Sequence, residues 1–183
     1  MLKSRRTHLH KRIAEALELS FPELVQTEPE TLAQHFTAAA CAQRAIRYWL
    51  AAGQRARQRS AHREAIRHFR AGIRLLSDLP EQTARMRLEV DLQTALGFTL
   101  IIAKGYAAPE VEAAFSRAYE LCQTIGDTSL AIPVLRGLTT FHWVSGNLPI
   151  AKRFGLQLAE IAERTSDAEL SSVLHGMLPD FSY

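Results

Sequence analysis

The 183-residue chain holds only two cysteines, Cys41 and Cys122, nine glycines and seven prolines. Neither cysteine has the CxxC or CxxH spacing of a metal clip, and both lie among apolar neighbours in helical patterns. The sequence therefore predicts buried free thiols rather than a disulfide or a zinc site. No stretch is enriched in Ser, Gly or Pro, so no flexible linker divides the chain and one domain is the economical reading. Long apolar runs are also missing. The longest, such as 98–103, falls far short of the roughly 20 residues a membrane span requires. With no signal-peptide pattern at the start, the expected location is cytoplasmic and no membrane partner is expected.

What the chain does contain is three-and-four spacing. Leu88, Leu92, Ala95, Leu96, Thr99, Leu100 and Ala103 recur on one face of a helix, and no segment alternates as a strand would. The predicted class is all-α, with about nine helices. Breaks are expected at Ser20 to Pro22, Glu28 with Pro29, Ser60, Leu79 with Pro80, Gly105 to Pro109, Gly126 with Asp127, Gly146 with Asn147, and Ser166 with Asp167. Asp127 is placed to N-cap one helix, and Gly146 to end another in the left-handed conformation before Asn147 caps the next. Pro133 lies more than a turn inside its helix, which predicts a kink there or a later start. Such short turns make consecutive helices antiparallel neighbours.

Internal repetition separates a bundle from a stacked array. Trp49 and Gly53 on one helix precede Ala65, Phe69 and Gly72 on the next. Small residues at Gly53 and Ala65 let two backbones approach, while Phe69 plugs the hole toward the next pair. This pattern resembles the tetratricopeptide (TPR) repeat, and implies an α-solenoid of antiparallel helix pairs. A weaker copy runs through Leu32, Ala33, Phe36, Ala45, Trp49 and Ala52, which leaves the phase of the array open. A third copy has Leu135, Leu138 and His142 before the Gly146 turn, then Ala151 and Leu158, and a pair around Gly97 and Ala118 carries a longer connection. From Ala65 to Ala151 is 86 residues, about 43 per repeat if two are spanned, against the 34 of a standard unit.

Several phrases resemble one family more closely: 9–23 (LHKRIAEALELSFPE), 32–36 (LAQHF), 45–56 (AIRYWLAAGQRA), 104–111 (KGYAAPEV) and Gly126 with Asp127. They are similar to the helical repeat region of large bacterial signalling proteins. There a class III adenylate or guanylate cyclase domain precedes a signal-transduction ATPase of the AAA-like (STAND) type, with the repeats following. The resemblance implies that the chain corresponds to the part after the ATPase, which senses a partner or ligand. It divides the chain into a basic amphipathic helix at 1–22, joining an upstream domain, and a helical repeat domain at 23–183, truncated near Met177 to Tyr183. No aspartate pair for two metals and no GxxxxGK[ST] loop is present, so no cyclase or ATPase residue carries over and no cofactor is expected.

The seven histidines, His8, His10, His35, His62, His68, His142 and His175, form no HExxH, and no GxSxG elbow exists. His35 and His142 are expected to be packing or hydrogen-bonded residues. Glu110 and Glu112 read as first-turn charges that complement a helix dipole. Catalysis is not expected.

Charge is unevenly distributed: residues 1–74 carry 14 Lys and Arg against 6 Asp and Glu, net +8, whereas the remainder carries 8 against 13, net −5. Arg63, Arg67, Arg70 and Arg74 line one helix face opposite Ile66, Phe69 and Ile73. Such a ridge is either an ordinary solvated face or a docking strip for an acidic partner. Nucleic-acid binding is disfavoured, because no aromatic residues interleave with the arginines.

The leading expectation is therefore a scaffold whose concave groove grips a peptide or helix, including the ATPase part of a parent protein. The alternative is a small-ligand sensor with an apolar groove near Trp49, Phe69 or Trp143. Uncapped apolar ends of a stack favour self-association.

Overall fold

The structure, a computed structural model, describes residues 2–165. Among the described residues nine α-helices follow one another: α1 (Leu2–Ser20), α2 (Pro22–Thr27), α3 (Pro29–Ala38), α4 (Ala42–Gln58), α5 (His62–Arg74), α6 (Gln82–Lys104), α7 (Pro109–Ile125), α8 (Thr128–Val144) and α9 (Leu148–Thr165). A single 3-10 turn, Leu76–Asp78, lies between α5 and α6. No strand occurs among the described residues, so the chain is all-α as the spacing predicts. The expected break at Ser166 with Asp167, the C-terminal truncation and His175 lie outside the described residues.

Most boundaries have a local cause. Pro22, Pro29 and Pro109 each begin a helix, where a missing N–H costs nothing. Asp127 caps α8 as expected, its carboxylate accepting from the Ser129 N–H at 3.1 Å. An unexpected cap is Glu81, whose carboxylate accepts from the N–H groups of Thr83 and Ala84 and starts α6. Gly126 and Gly146 end α7 and α8 with φ of 74° and 77°.

The break between α3 and α4 is one the sequence reading lacks. The chain turns at Ala40 with φ 54°, and the Cys41 N–H returns to the Phe36 carbonyl. Ser60 repeats the geometry with φ 60° and an Ala61 N–H to Ala56 carbonyl bond, as does Gly146 with Asn147 to His142. These are closures of the Schellman type, but at Ala40 no glycine announces it. Pro133 does not delay its helix: α8 starts at Thr128 and runs through the proline, which leaves the Ser129 carbonyl without its usual helical donor.

Every helix packs on its neighbours in sequence, and α4, α6 and α8 also touch in order, as do α1 and α3. α4 and α5 are antiparallel, since Gly53 meets Phe69 while Trp49 meets Gly72, and so are α6 and α7, where Lys104 pairs with Glu110 and Glu89 with Arg117. The main core runs from Ile46 through Phe69, Leu92, Phe115 and Leu138 to Leu158. A smaller one gathers Ala14, Leu32, Phe36 and Ala45. Through it α1 is packed against α3 and α4. Arg44 of α4 pairs with Glu15 at 3.4 Å and with Glu18, to which Tyr48 also donates, and the Arg44 guanidinium lies 4.1 Å from the centre of the Phe36 ring.

Candidate functional site

Because α6 lies between α4 and α8, the three helices present a common face, and a groove of about 800 Å³ runs along it. The floor comes from α6: Val90, Ala95, Phe98, Ile101 and Ile102, with Tyr106 beyond the helix end. Leu50, Gln54 and Arg57 of α4 make one wall, and Leu130, Pro133, Arg136 and Thr140 of α8 the other. Ile102 and Tyr106 are 60% and 44% exposed, an apolar surface that folding has not covered.

Polar groups are set among the apolar ones: Gln54 and Arg57 on α4, Asp91 and Thr94 on α6, and Arg136 and Thr140 on α8. Arg136 holds its guanidinium 5.4 Å from the centre of the Phe98 ring, a cation–π arrangement. Asp91 lines the groove with its side chain exposed at the rim and partly enclosed by neighbouring groups. That burial pushes its carboxyl above the ordinary value, with the nearby Arg87 acting against it. Arg87 itself is bonded to Asp127 at 3.0 Å. The Thr94 hydroxyl, also lining the groove, has no protein hydrogen-bond partner among the described residues.

Of the repeat-signature residues, Gly53 meets Phe69 and Trp49 meets Gly72 between α4 and α5, whereas Ala151 lies on α9. Ala45, Ala65, Phe69 and Ala151 are fully buried, and Gly53 and Gly72 are buried within α4 and α5. A Cβ on Gly53 would lie 2.3 Å from Phe69, and one on Gly72 would lie 3.4 Å from the Trp49 Cβ. Trp49 is half-buried, stacks on His68 with ring centres 5.3 Å apart, and donates to the Thr37 hydroxyl at 3.0 Å. Gly146 stands apart as a turn residue. The same close packing occurs at the pair expected around Gly97 and Ala118, through Phe115, and extends to Gly137, which the repeat pattern does not include: added Cβ atoms would lie 2.8 and 2.4 Å from the Phe115 ring. Gly53, Gly97 and Gly137, each mid-helix on α4, α6 and α8, are 44 and 40 residues apart.

The groove is not where the small-ligand alternative expects it. None of Trp49, Phe69 and Trp143 lines it, because Phe69 is spent on the Gly53 contact and Trp49 faces Thr37 and His68. The sequence signal for the true floor is the run 98–103, which leaves the end of α6 apolar on more than one face.

Arg63, Arg67, Arg70 and Arg74 are all exposed on α5, opposite buried Ile66, Phe69 and Gly72. None of the four is ion-paired among the described residues, although Arg70 is near enough to help hold the Glu110 carboxyl below its usual value, after the bond from Lys104. The ridge and the groove share no residue.

His35 is half-buried, its Nδ1 3.0 Å from the His10 Nδ1, and burial followed by His10 lowers its pKa. His142 is buried, edge-on to Phe141 and stacked on Phe154. Both fit the packing role expected of them. Cys122 is buried and its thiol is pushed up to about 11, first by burial and then by Asp127 and Asp91. Cys41, expected to be buried, is only partly so, because it stands in the turn before α4. Among the described residues no set of three metal-ligating side chains converges, and no helix is long and apolar enough to cross a membrane.

No protein-family model matches the chain, and comparison with curated proteins gives no match.

Proposed function

We propose that this chain is a non-catalytic interaction scaffold, a TPR-like stack of helix pairs that holds a protein segment along the face of α4, α6 and α8. The observation that carries the reading is the uncovered apolar floor on α6, where Ile102 and Tyr106 remain open to solvent between two helical walls. The recurrent burial of a Phe ring against mid-helix glycines, Phe69 on Gly53 and Phe115 on both Gly97 and Gly137, supports the repeat assignment. On the resemblance to cyclase and STAND ATPase proteins, the partner is the nucleotide-binding part of such a parent, in the cytoplasm. The arginine ridge on α5 is a second, electrostatic contact that accelerates encounter with an acidic surface.

A sensor of small effectors is the second reading, favoured by the groove volume, which falls within the roughly 300–1,000 Å³ of ordinary ligand sites. Nucleic acid ranks below both.

Affinity capture with the nucleotide-binding module of a parent-like protein as bait tests the scaffold. Capture by the unaltered chain, lost on Ile102→Asp, supports it. Capture that Ile102→Asp leaves intact removes the groove from the reading. A melting temperature raised by a small effector, with no protein retained, moves the assignment to the sensor.

A further inference from the structure

We infer that His10 and His35 form a two-imidazole clamp for a divalent transition-metal ion, nickel(II) or copper(II), which ties the first half of α1 to α3. No residue of α1 or α3 lines the groove, so failure here leaves the docking reading untouched.

Helix periodicity assembles the pair. His10, Ala14 and Leu17 follow one another at four and three residues, which puts them on the one face that α1 turns inward. Ala14 is fully buried there, in the small core with Leu32 and Phe36 of α3, and Leu17 packs on it. His35 stands three residues after Leu32 and next to Phe36, and so meets the same face from α3. The two Nδ1 atoms lie 3.0 Å apart while the ring centres are 5.1 Å apart, so the rings meet at these nitrogens rather than stacking. Both side chains are half-buried, which leaves the pair within reach of water and of a dissolved ion.

Only one proton fits between two nitrogens at this distance, so at least one Nδ1 keeps its lone pair turned to its partner. Without an ion that proton makes an N–H···N hydrogen bond. With both rings in the tautomer that carries its hydrogen on Nε2, two lone pairs face the same point. Two metal–nitrogen bonds of about 2.1 Å meeting at a right angle set their nitrogens about 3.0 Å apart, which is the separation found. At the tetrahedral angle the same bonds require about 3.4 Å. Neighbouring corners of an octahedral or square-planar ion therefore fit, and tetrahedral zinc fits less well. Among the described residues no third His, Cys, Asp or Glu joins the pair, so water fills the other positions and magnesium or calcium finds no oxygen cluster. Lys11 and Arg12, next in sequence, further disfavour a hard cation that binds by charge alone.

The position of the pair gives the ion its effect. The second half of α1 is held by Arg44, which pairs with Glu15 and Glu18, and by Tyr48, which donates to Glu18. Between Ser4 and Arg12 most residues are exposed, Leu9 by 54%, and His10 bonds to α3. A metal ion on His10 and His35 fastens α1 where other contacts are sparse.

The test uses the full chain without a histidine tag, and nickel chloride as the probe. Nickel in roughly tenfold excess over its dissociation constant is expected to raise Tm by about 3–5 °C, reversibly with EDTA, whereas magnesium chloride has no effect. His10→Gln and His35→Gln should each lose the shift, while His8→Gln and His62→Gln keep it. No shift in the unaltered chain, or a full shift in either His10→Gln or His35→Gln, overturns the inference. A larger shift with zinc than with nickel also overturns it, because the nitrogen separation argues against a tetrahedral ion. A second measurement needs no variant: in NMR spectra of the unaltered chain, substoichiometric copper(II) is expected to broaden the ring signals of His10 and His35 before those of the other histidines. Broadening that begins at any other histidine overturns the clamp.

Discussion

The ring of Phe69 lies against the backbone of Gly53, so close that a Cβ there would stand 2.3 Å from its Cε1. Phe69 is fully buried and has no free space into which to withdraw. Gly53→Ala is therefore expected to destabilise the fold by about 1–3 kcal/mol through overpacking, although alanine is the better helix former. Pairing it with Phe69→Leu should cost less than the sum of the two single changes, as contacting sites do. Urea denaturation of the four proteins measures the coupling; strict additivity would mean the two residues do not interact.

Ser60 and Ala40 hold the left-handed conformation without being glycine. For an L-residue this costs about 1–2 kcal/mol, which glycine largely avoids. Ser60→Gly and Ala40→Gly are each expected to raise stability by about 0.5–1 kcal/mol, net of glycine's greater freedom in the unfolded chain. A lowered denaturation midpoint for either would contradict the turn geometry.

The sequence marks the break at Ser60 but not the one at Ala40. Gly126, Gly146, Pro29 and Pro109 announce their breaks by their own backbone limits, and the expected boundaries there match the helices. Ala40 gives no such signal, since its turn is closed by the Cys41 N–H on the Phe36 carbonyl, a property of the folded chain. The groove was less legible still. Leu50, Phe98 and Arg136 belong to three helices and meet only through packing, so no spacing within one helix records them. The mid-helix glycines at 53, 97 and 137 mark close helix contacts on α4, α6 and α8, and the repeat pattern in the sequence includes Gly53 and Gly97 but not Gly137.

Burial holds the His142 imidazole below 6.5, with Glu112 opposing and Arg153 adding to the effect; His35 is lowered likewise by burial and His10. The unfolded chain then takes up protons that the folded chain refuses, so stability is complete above about pH 6.5 and declines as pH falls below it. As pH falls from 6.5 the decline belongs to the histidines, ahead of Asp127 and Glu110 with their lowered values, while Asp91, whose carboxyl burial raises, acts in the opposite sense. His142→Leu should flatten it in denaturation curves taken at half-unit pH steps. An unchanged slope would show that His142 is not the group responsible.

The two thiols should separate by reactivity. With Cys122 buried and its thiol pushed up to about 11, only the partly exposed Cys41 is expected to react with a thiol reagent at pH 8 in the native protein. Two equivalents should react once the protein is unfolded. Equal native rates would contradict the packing of α7 against α8.

The central claim is that binding takes place on the face shared by α4, α6 and α8. Titration calorimetry of one captured partner against the unaltered chain, Ile102→Asp and the pair Arg67→Glu with Arg70→Glu tests it most directly. Ile102→Asp is expected to abolish measurable heat, while the ridge reversal weakens binding in a salt-dependent way and leaves the stoichiometry unchanged. Full affinity in the folded Ile102→Asp protein would contradict the account.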